Sequence, residues 1–457
     1  MDINSFNPVA HQRTDFTTVN MGAATPKDEI ARKPVSDPSD LVSLSSSSRT
    51  ESGKIPIIIS SKEKDGLSKA KAAVRNEIKT EVKDELPIIN GFTTEVDDAQ
   101  FQKLLERKPD GVSIFIDEKY KMIDDPIITG TPEVTTRTDN AVVTLGVDKI
   151  WQKGFTGKDV TIAVIDTGIY PHKDFANRII GFKDFVNGYK EPYDDQGHGT
   201  HVAGDCSGDG TMSAGRYKGT APEAKLVGVK SLDKNGAGRF SDIIKGIQWV
   251  VQHKDEYNIK VMNMSLGGPA FQSYKEDPIA QAAQKALDAG IVPVIAAGNS
   301  GPKPGTVGSP GNNPNVLTVG AFDDKNTVTP ADDEIAKFSS RGPTKIDGLT
   351  KPDILSPGVN ITAATSYGSP LDTNPKIPHA GTDYITISGT SMATPIMAGI
   401  VSLVVQARPD LKPTEIIELF KGTASKMPSL DANQQGHGVV QPQAALEKAL
   451  STKPTGN

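Results

Sequence analysis

One cysteine, Cys206, serves the whole 457-residue chain. That excludes an intramolecular disulfide framework and leaves stability to packing and hydrogen bonds. Aromatic residues are scarce at 5%. No uninterrupted apolar run approaches the roughly 18 residues that a membrane span needs, so no membrane partner is expected. Acidic residues outnumber basic ones, 56 to 50. The chain therefore lacks the positive field on which nucleic-acid binding draws, and no such partner is expected. The opening residues MDINSFNPVAHQRTDF show no basic stretch followed by an apolar one, so no Sec-type leader is read. With the lone cysteine this makes the cytoplasm the expected compartment, although exported enzymes also use few cysteines and release by another route stays open.

What is present falls into segments. Residues 1–53 are polar, with a serine run from Ser45 to Ser48, and a disordered extension is expected. From 54 to 121 the pattern is β-α-β-α-β: strand-like Ile55–Ile59, helical spacing over Leu67–Lys83, strand-like Ile88–Val96, a helix around Gln100–Arg107, and strand-like Val112–Asp117. This predicts a small α+β unit. Residues 122–140, rich in Pro, Thr, Asp and Gly, read as a linker. Beyond it, short β-branched runs alternate with helical patterns over 141–450, notably Ser241–His253 and Pro278–Ala289. Such alternation predicts a doubly wound α/β domain on a parallel sheet, followed by a tail at 451–457.

In such sheets ligands collect beyond the carboxyl ends of the strands, and four polar motifs sit where those ends should be. Asp166 ends VTIAVIDTG; alone, it reads equally as a metal ligand or a helix cap. His198 and His201 stand among glycines in DDQGHGTHVAG. Three residues apart, the two can share a helical face, so a zinc pair competes, without an HExxH motif or evident further ligands. Ser391 lies in GTSMATP just before the helical pattern Met392–Gln406; a lone serine there would be only an N-cap. Asn299 follows the apolar run in IAAGNSG, as an ordinary turn residue or as a hydrogen-bond donor. Together they offer a nucleophile, a base, a carboxylate to orient the base, and donors for an oxyanion, which is the set amide hydrolysis requires.

These motifs resemble the subtilisin family of serine peptidases, whose order Asp, His, Ser the chain shares over roughly residues 141–450. Within the family, GIYPH, EPYDD, FSSRGPT and KPDI resemble the intracellular AprX-type subtilases of bacilli. The resemblance implies Ser391 as nucleophile, His198 as general base and acid, Asp166 as its orienting carboxylate, and Asn299 with the Ser391 N–H as oxyanion hole. It gives His201 a structural role. Asn235, Gly236, Ala237 and Gly238 are similar to the edge that pairs with an extended peptide. Phe240 and Ile243 are similar to a pocket for an upstream residue, and Ser265, Leu266, Gly267 and Gly268, with Ala296 to Gly298, to the walls of the main specificity pocket. Gly308 would lie at its base, leaving space for a large apolar side chain, and no acid beside Asn299 favours a basic one.

The chemistry so implied needs no cofactor. Asp174, in PHKDF, resembles an acid that helps bind structural calcium in relatives, but the loop that completes the site is replaced by Ser207–Gly219. Asp205 and Asp209 read there as a solvated acidic loop before they read as ligands. Residues 54–121, with LPIINGFTTEV, are similar to the family's inhibitory propeptide, so the expected partners are protein or peptide substrates and the chain's own propeptide, on a monomer. Two rivals remain: a catalytically silent subtilase fold used for binding, and a zinc hydrolase. Cys206 reads as a small buried apolar residue before it reads as a regulatory thiol.

Overall fold

The computed structural model describes residues 49–121, 141–325, 327 and 330–452. The expected extension up to residue 48, the linker 122–140 and the last five residues lie outside the described residues.

Among residues 54–121 the order is β1 (Ile55–Ser61), α1 (Lys64–Ala73), β2 (Glu85–Leu86), β3 (Gly91–Val96), α2 (Asp98–Glu106), β4 (Val112–Ile116) and β5 (Lys119–Lys121). The first four strands form an antiparallel sheet in the order β2-β3-β1-β4. Two predicted elements are shorter than their sequence pattern. Helical structure from α1 ends at Ile78, because Lys79 turns left-handed at φ 58°. The strand-like run Ile88–Val96 is broken by a tight turn, Pro87–Ile89, that ends on a left-handed Asn90. The helix α2 is stopped at its start by a capping box, Asp97 with Gln100.

The larger unit continues with β6 (Thr161–Asp166), β7 (Ile179–Asp184), α3 (His198–Ser207), β8 (Lys225–Lys230), β9 (Ala237–Arg239), α4 (Phe240–Gln252), β10 (Ile259–Met264) and α5 (Pro278–Asp288). After these come β11 (Val292–Ala296), β12 (Leu317–Asp323), β13 (Glu334–Ile335), β14 (Ile354–Pro357), β15 (Ile361–Ala364), β16 (His379–Ala380), β17 (Tyr384–Ile387), α6 (Thr390–Ala407), α7 (Pro413–Thr423) and α8 (Pro442–Ser451). Eight strands make one sheet, β13-β12-β11-β10-β6-β8-β7, with β14 also on β12. Every pairing in it is parallel except β12 with β13. The doubly wound α/β expectation therefore holds.

Strand alternation divides the core. In β6, Ile162 and Val164 join the cluster formed with α3 and α6, whereas Ala163 and Ile165 join the one formed with α4 and α5. Both faces of the sheet are thus covered, which is why these strands read as continuous apolar runs. The helix α6 has the length and mean apolarity to cross a bilayer, although Thr, Ser, Pro and Gly interrupt its apolar residues. Sixteen of its 18 residues are buried in the protein, however, and it serves as the central core helix.

The small sheet lies on the outer helices. Ile58, Leu86, Ile89 and Phe115 share a buried cluster with Ile244 and Ile247 of α4 and Ala282 and Ala283 of α5. Next to it, β5 pairs antiparallel with β9: Lys119 with Arg239, Tyr120 with Gly238, Lys121 with Ala237.

Candidate active site

The sheet order turns at β6, which has β8 on one side and β10 on the other. Its carboxyl end is thus the crevice in which a doubly wound sheet places a ligand. Asp166, the last residue of β6, is fully buried there. Its Oδ1 lies 2.7 Å from Nδ1 of His198, also fully buried, and also accepts the Thr167 N–H at 2.7 Å.

His198 is the first residue of α3, and local chemistry fixes that start. The Asp194 carboxylate accepts the N–H groups of Gln196, Gly197 and Thr200 and the Thr200 hydroxyl, so the first turn is capped from the preceding loop. Gln196 Oε1 accepts the His198 N–H at 2.7 Å. Gly199 is required by proximity: a Cβ there would stand 2.1 Å from the Gly168 carbonyl oxygen and 3.2 Å from the Asp166 Cβ. Only a bare residue lets the helix come this close to the loop carrying Asp166. Asp194 and Gln196 were not singled out from the sequence, although a carboxylate shortly before an expected helix is a cap signal.

Ser391 is the second residue of α6. It is fully buried, and its Oγ has no hydrogen-bond partner among the described residues. Pro395, inside the helix, has no N–H to return to the Ser391 carbonyl four residues earlier. That carbonyl instead accepts the Ser265 hydroxyl at 2.8 Å, and Asn263 Nδ2 donates to the same hydroxyl at 3.0 Å. Ser265 thus anchors the start of α6 besides contributing to the predicted pocket wall.

Asn299 follows β11, and its Oδ1 accepts both the N–H and the hydroxyl of Thr390, each at 2.9 Å. With the carbonyl end held by two donors, the orientation of the amide is fixed. Thr390 was not foreseen; its hydroxyl also accepts the Gly298 N–H at 3.2 Å.

The predicted groove residues lie at two places in the fold, around β9 and the start of α4, and at the carboxyl ends of β10 and β11. Gly236, Ala237 and Gly238 form the turn and edge strand that β5 pairs with, and Phe240 and Ile243 are buried in the first turn of α4. Asn235 is exposed in the turn before them. Leu266 and Gly267, which follow Ser265, and Ala296 and Gly298, at the end of β11 beside β10, are buried. Gly308 differs from the expectation. A Cβ there would meet the Gly268 carbonyl oxygen at 2.3 Å, where Gly268 and Ser309 bridge the two segments. Its bareness serves close chain packing rather than an open pocket floor.

The other candidates are structural. His201 is buried with Nδ1 3.1 Å from Asp205 Oδ2 and Nε2 3.2 Å from the carbonyls of Ile361 and Ile385. Both nitrogens are spent on protein oxygens, which removes the zinc pair. Cys206 is fully buried, and burial pushes its thiol far above the ordinary value, as suits an inert core residue. Asp174 does not present a free carboxylate: Oδ1 accepts the Met212 N–H at 2.9 Å and Oδ2 the Tyr384 hydroxyl at 2.7 Å. Oxygens facing N–H and O–H donors are turned away from a cation, so the residues here do not fit a bound calcium ion.

Comparison with known proteins supplies an independent reading. Residues 157–438 match the Subtilase family. The chain is 44% identical over 382 residues to "Serine protease AprX" of Bacillus subtilis, covering 82% of this chain and 83% of that protein. It is 36% identical over 293 residues to "Subtilisin Savinase" of Lederbergia lenta, covering 64% of this chain and 93% of that one. Among solved structures, fervidolysin from Fervidobacterium pennivorans, described as a keratinolytic enzyme related to subtilisin, has the same fold, with a TM-score of 0.67 at 24% identity. The match covers 88% of this chain and 62% of the fervidolysin chain.

Proposed function

The chain belongs to the subtilase family and is a serine-type endopeptidase, and from that premise we propose that Asp166, His198 and Ser391 are its triad, that Asn299 is its oxyanion donor, and that residues 54–121 are an inhibitory propeptide. The observation that carries the triad is the fully buried 2.7 Å contact between Asp166 Oδ1 and His198 Nδ1. That contact selects the tautomer with a proton on Nδ1 and a lone pair on Nε2, and it favours the imidazolium that forms on proton transfer.

In this reading the Ser391 Oγ attacks the scissile carbonyl carbon while its proton passes to His198 Nε2. The carbonyl oxygen takes the electron pair and is held by Asn299 Nδ2 and the Ser391 N–H. Collapse of the intermediate breaks the C–N bond, and His198 returns the proton to the leaving amine. Water then repeats the sequence on the acyl-enzyme, releasing the acid and Ser391. Walls made of Leu266, Gly267, Ala296 and Gly298 offer no charge, which supports a preference for a large apolar residue before the scissile bond.

The propeptide reading rests on two contacts. The β5–β9 pairing occupies the edge that an extended substrate would use. Beside it, Asp117 reaches across to α4: its Oδ1 accepts the Ser241 N–H at 2.9 Å and its Oδ2 the Ser241 hydroxyl at 2.7 Å. Burial pushes the Asp117 pKa up from 3.8 to about 6. The docked carboxyl therefore holds its proton more tightly than the released one. This stabilisation of docking is full below the free pKa and is lost as pH rises through about 6. We expect the cleaved but still associated propeptide to dissociate up to roughly a hundredfold more readily at pH 7 than at pH 4, and Asp117→Asn to flatten that dependence. Binding measured across this pH range on the processed complex checks it; an unchanged profile in Asp117→Asn would remove Asp117 from the switch.

The test of the whole reading compares the full chain with Ser391→Ala, with and without a fluorophosphonate probe, by intact mass. Labelling and self-cleavage between about residues 120 and 145, both absent in the variant, are expected. Labelling without cleavage would leave the nucleophile and refute autoprocessing. Absence of labelling, even after removal of the first 140 residues, would overturn the assigned triad.

A further inference from the structure

The oxygen cluster beside Asp174 is already occupied by a charge. Arg178, between the Asp174 turn and β7, has only 17% of its side chain exposed. Its Nη1 donates to the carbonyls of Ser207 at 2.6 Å and Ala224 at 3.0 Å and to the Ser207 hydroxyl, and its Nη2 donates to the Asp174 carbonyl. The Asp209 carboxylate stands 3.6 Å from Nη2. Oxygens from four separate points of the chain thus converge on one guanidinium: the Asp174 turn, the last residue of α3, the loop after it, and the residue leading into β8.

We infer that Arg178 is the structural cation of this cluster, a tethered replacement for a bound divalent metal, so that the fold does not depend on calcium there. Three carbonyl dipoles, a hydroxyl and a carboxylate brought together need a positive partner. A metal meets that need only while its free concentration exceeds its dissociation constant, since its stabilisation follows mass action. A guanidinium carried by the chain is present at every metal concentration and keeps its charge at every pH the protein meets. Its planar fork also presents N–H groups from two nitrogens to oxygens at fixed positions, where a lysine would offer a single ammonium. The same solution recurs at a separate point: Lys351, 1% exposed, donates to the Val316 carbonyl, the Thr318 hydroxyl and Asp353 Oδ2.

The experiment uses the full chain carrying Ser391→Ala, which prevents self-digestion and makes the readout independent of the peptidase reading. Thermal unfolding is followed by near-ultraviolet circular dichroism in chelator and in millimolar calcium. The expected midpoints differ by less than about 2 °C, and metal analysis after dialysis finds no stoichiometric calcium. A midpoint more than about 5 °C lower in chelator, or one calcium retained per chain, would overturn the inference. Adding Arg178→Met, which keeps the stem and removes the charge, should lower the midpoint by about 10 °C, with Arg178→Lys recovering only part. An unchanged midpoint in Arg178→Met would also overturn it. If that variant does not fold, the chelator comparison on the parent decides alone.

Discussion

Ser391→Ala and His198→Ala should each lower kcat by about 10⁶, and Asp166→Asn by about 10⁴, with KM nearly unchanged in all three. Those magnitudes are the ones established for subtilisin and trypsin-like enzymes; the geometry here says why they transfer. An asparagine at 166 can still meet His198 at 2.7 Å. Its amide nitrogen, however, donates to Nδ1 and forces the ring proton onto Nε2, where a base needs its lone pair. The burial of both groups removes water as a substitute partner. Because the three residues act as one unit, the double variant Ser391→Ala/His198→Ala should be no slower than Ser391→Ala alone. Steady-state kinetics on a processed enzyme checks this, and additive losses in the double variant would contradict a triad.

Asn299→Leu should lower kcat by about 10² to 10³ with little change in KM, because the donor acts on charge that exists only in the transition state. The complication is that Asn299 also holds Thr390 through two bonds to Oδ1. Leucine removes both functions, so a loss there could come from a shifted start of α6. Asn299→Asp separates them. It keeps an acceptor for Thr390 but offers no donor, and it adds a negative charge beside the developing oxyanion. We expect its loss to be at least as large as that of the leucine variant, with the fold intact by thermal unfolding. An aspartate variant near full activity would show that Asn299 positions Thr390 and nothing more.

The parts legible in the sequence were those set by local patterning. Apolar runs located five strands of the large sheet, β6, β8, β10, β11 and β12, with starts within a residue, since burial on both faces leaves no polar interruption there; β7, β13 and β14 were not read. The motif residues Asp166, His198, Asn299 and Ser391 stood at element ends, as sheet topology requires. What was not legible depended on contacts distant in sequence. Arg178 reads as one surface cation among many until Ser207 and Ala224 are folded against it. Gly308 reads as a pocket floor until Gly268 is seen beside it. The stop at Lys79 and the break at Pro87–Ile89 were missed because helical spacing and β-branched content run through both. Asp194 is the exception, a local cap signal that was present and passed over.

The N-terminus of α4 borrows its cap. Arg239, at the capping position, provides no side-chain acceptor, and the carboxylate that satisfies Ser241 belongs to Asp117 of the small unit. The first turn so held carries Phe240 and Ile243 of the groove wall. Release of the small unit, as proposed above, would therefore uncover the proposed groove and also return the Ser241 N–H to water, leaving a helix start free to fray. If residues 54–121 are released as proposed, the helix start left behind is softer than in the full chain, and an incoming chain with an acidic residue in the place of Asp117 would stiffen it again on binding.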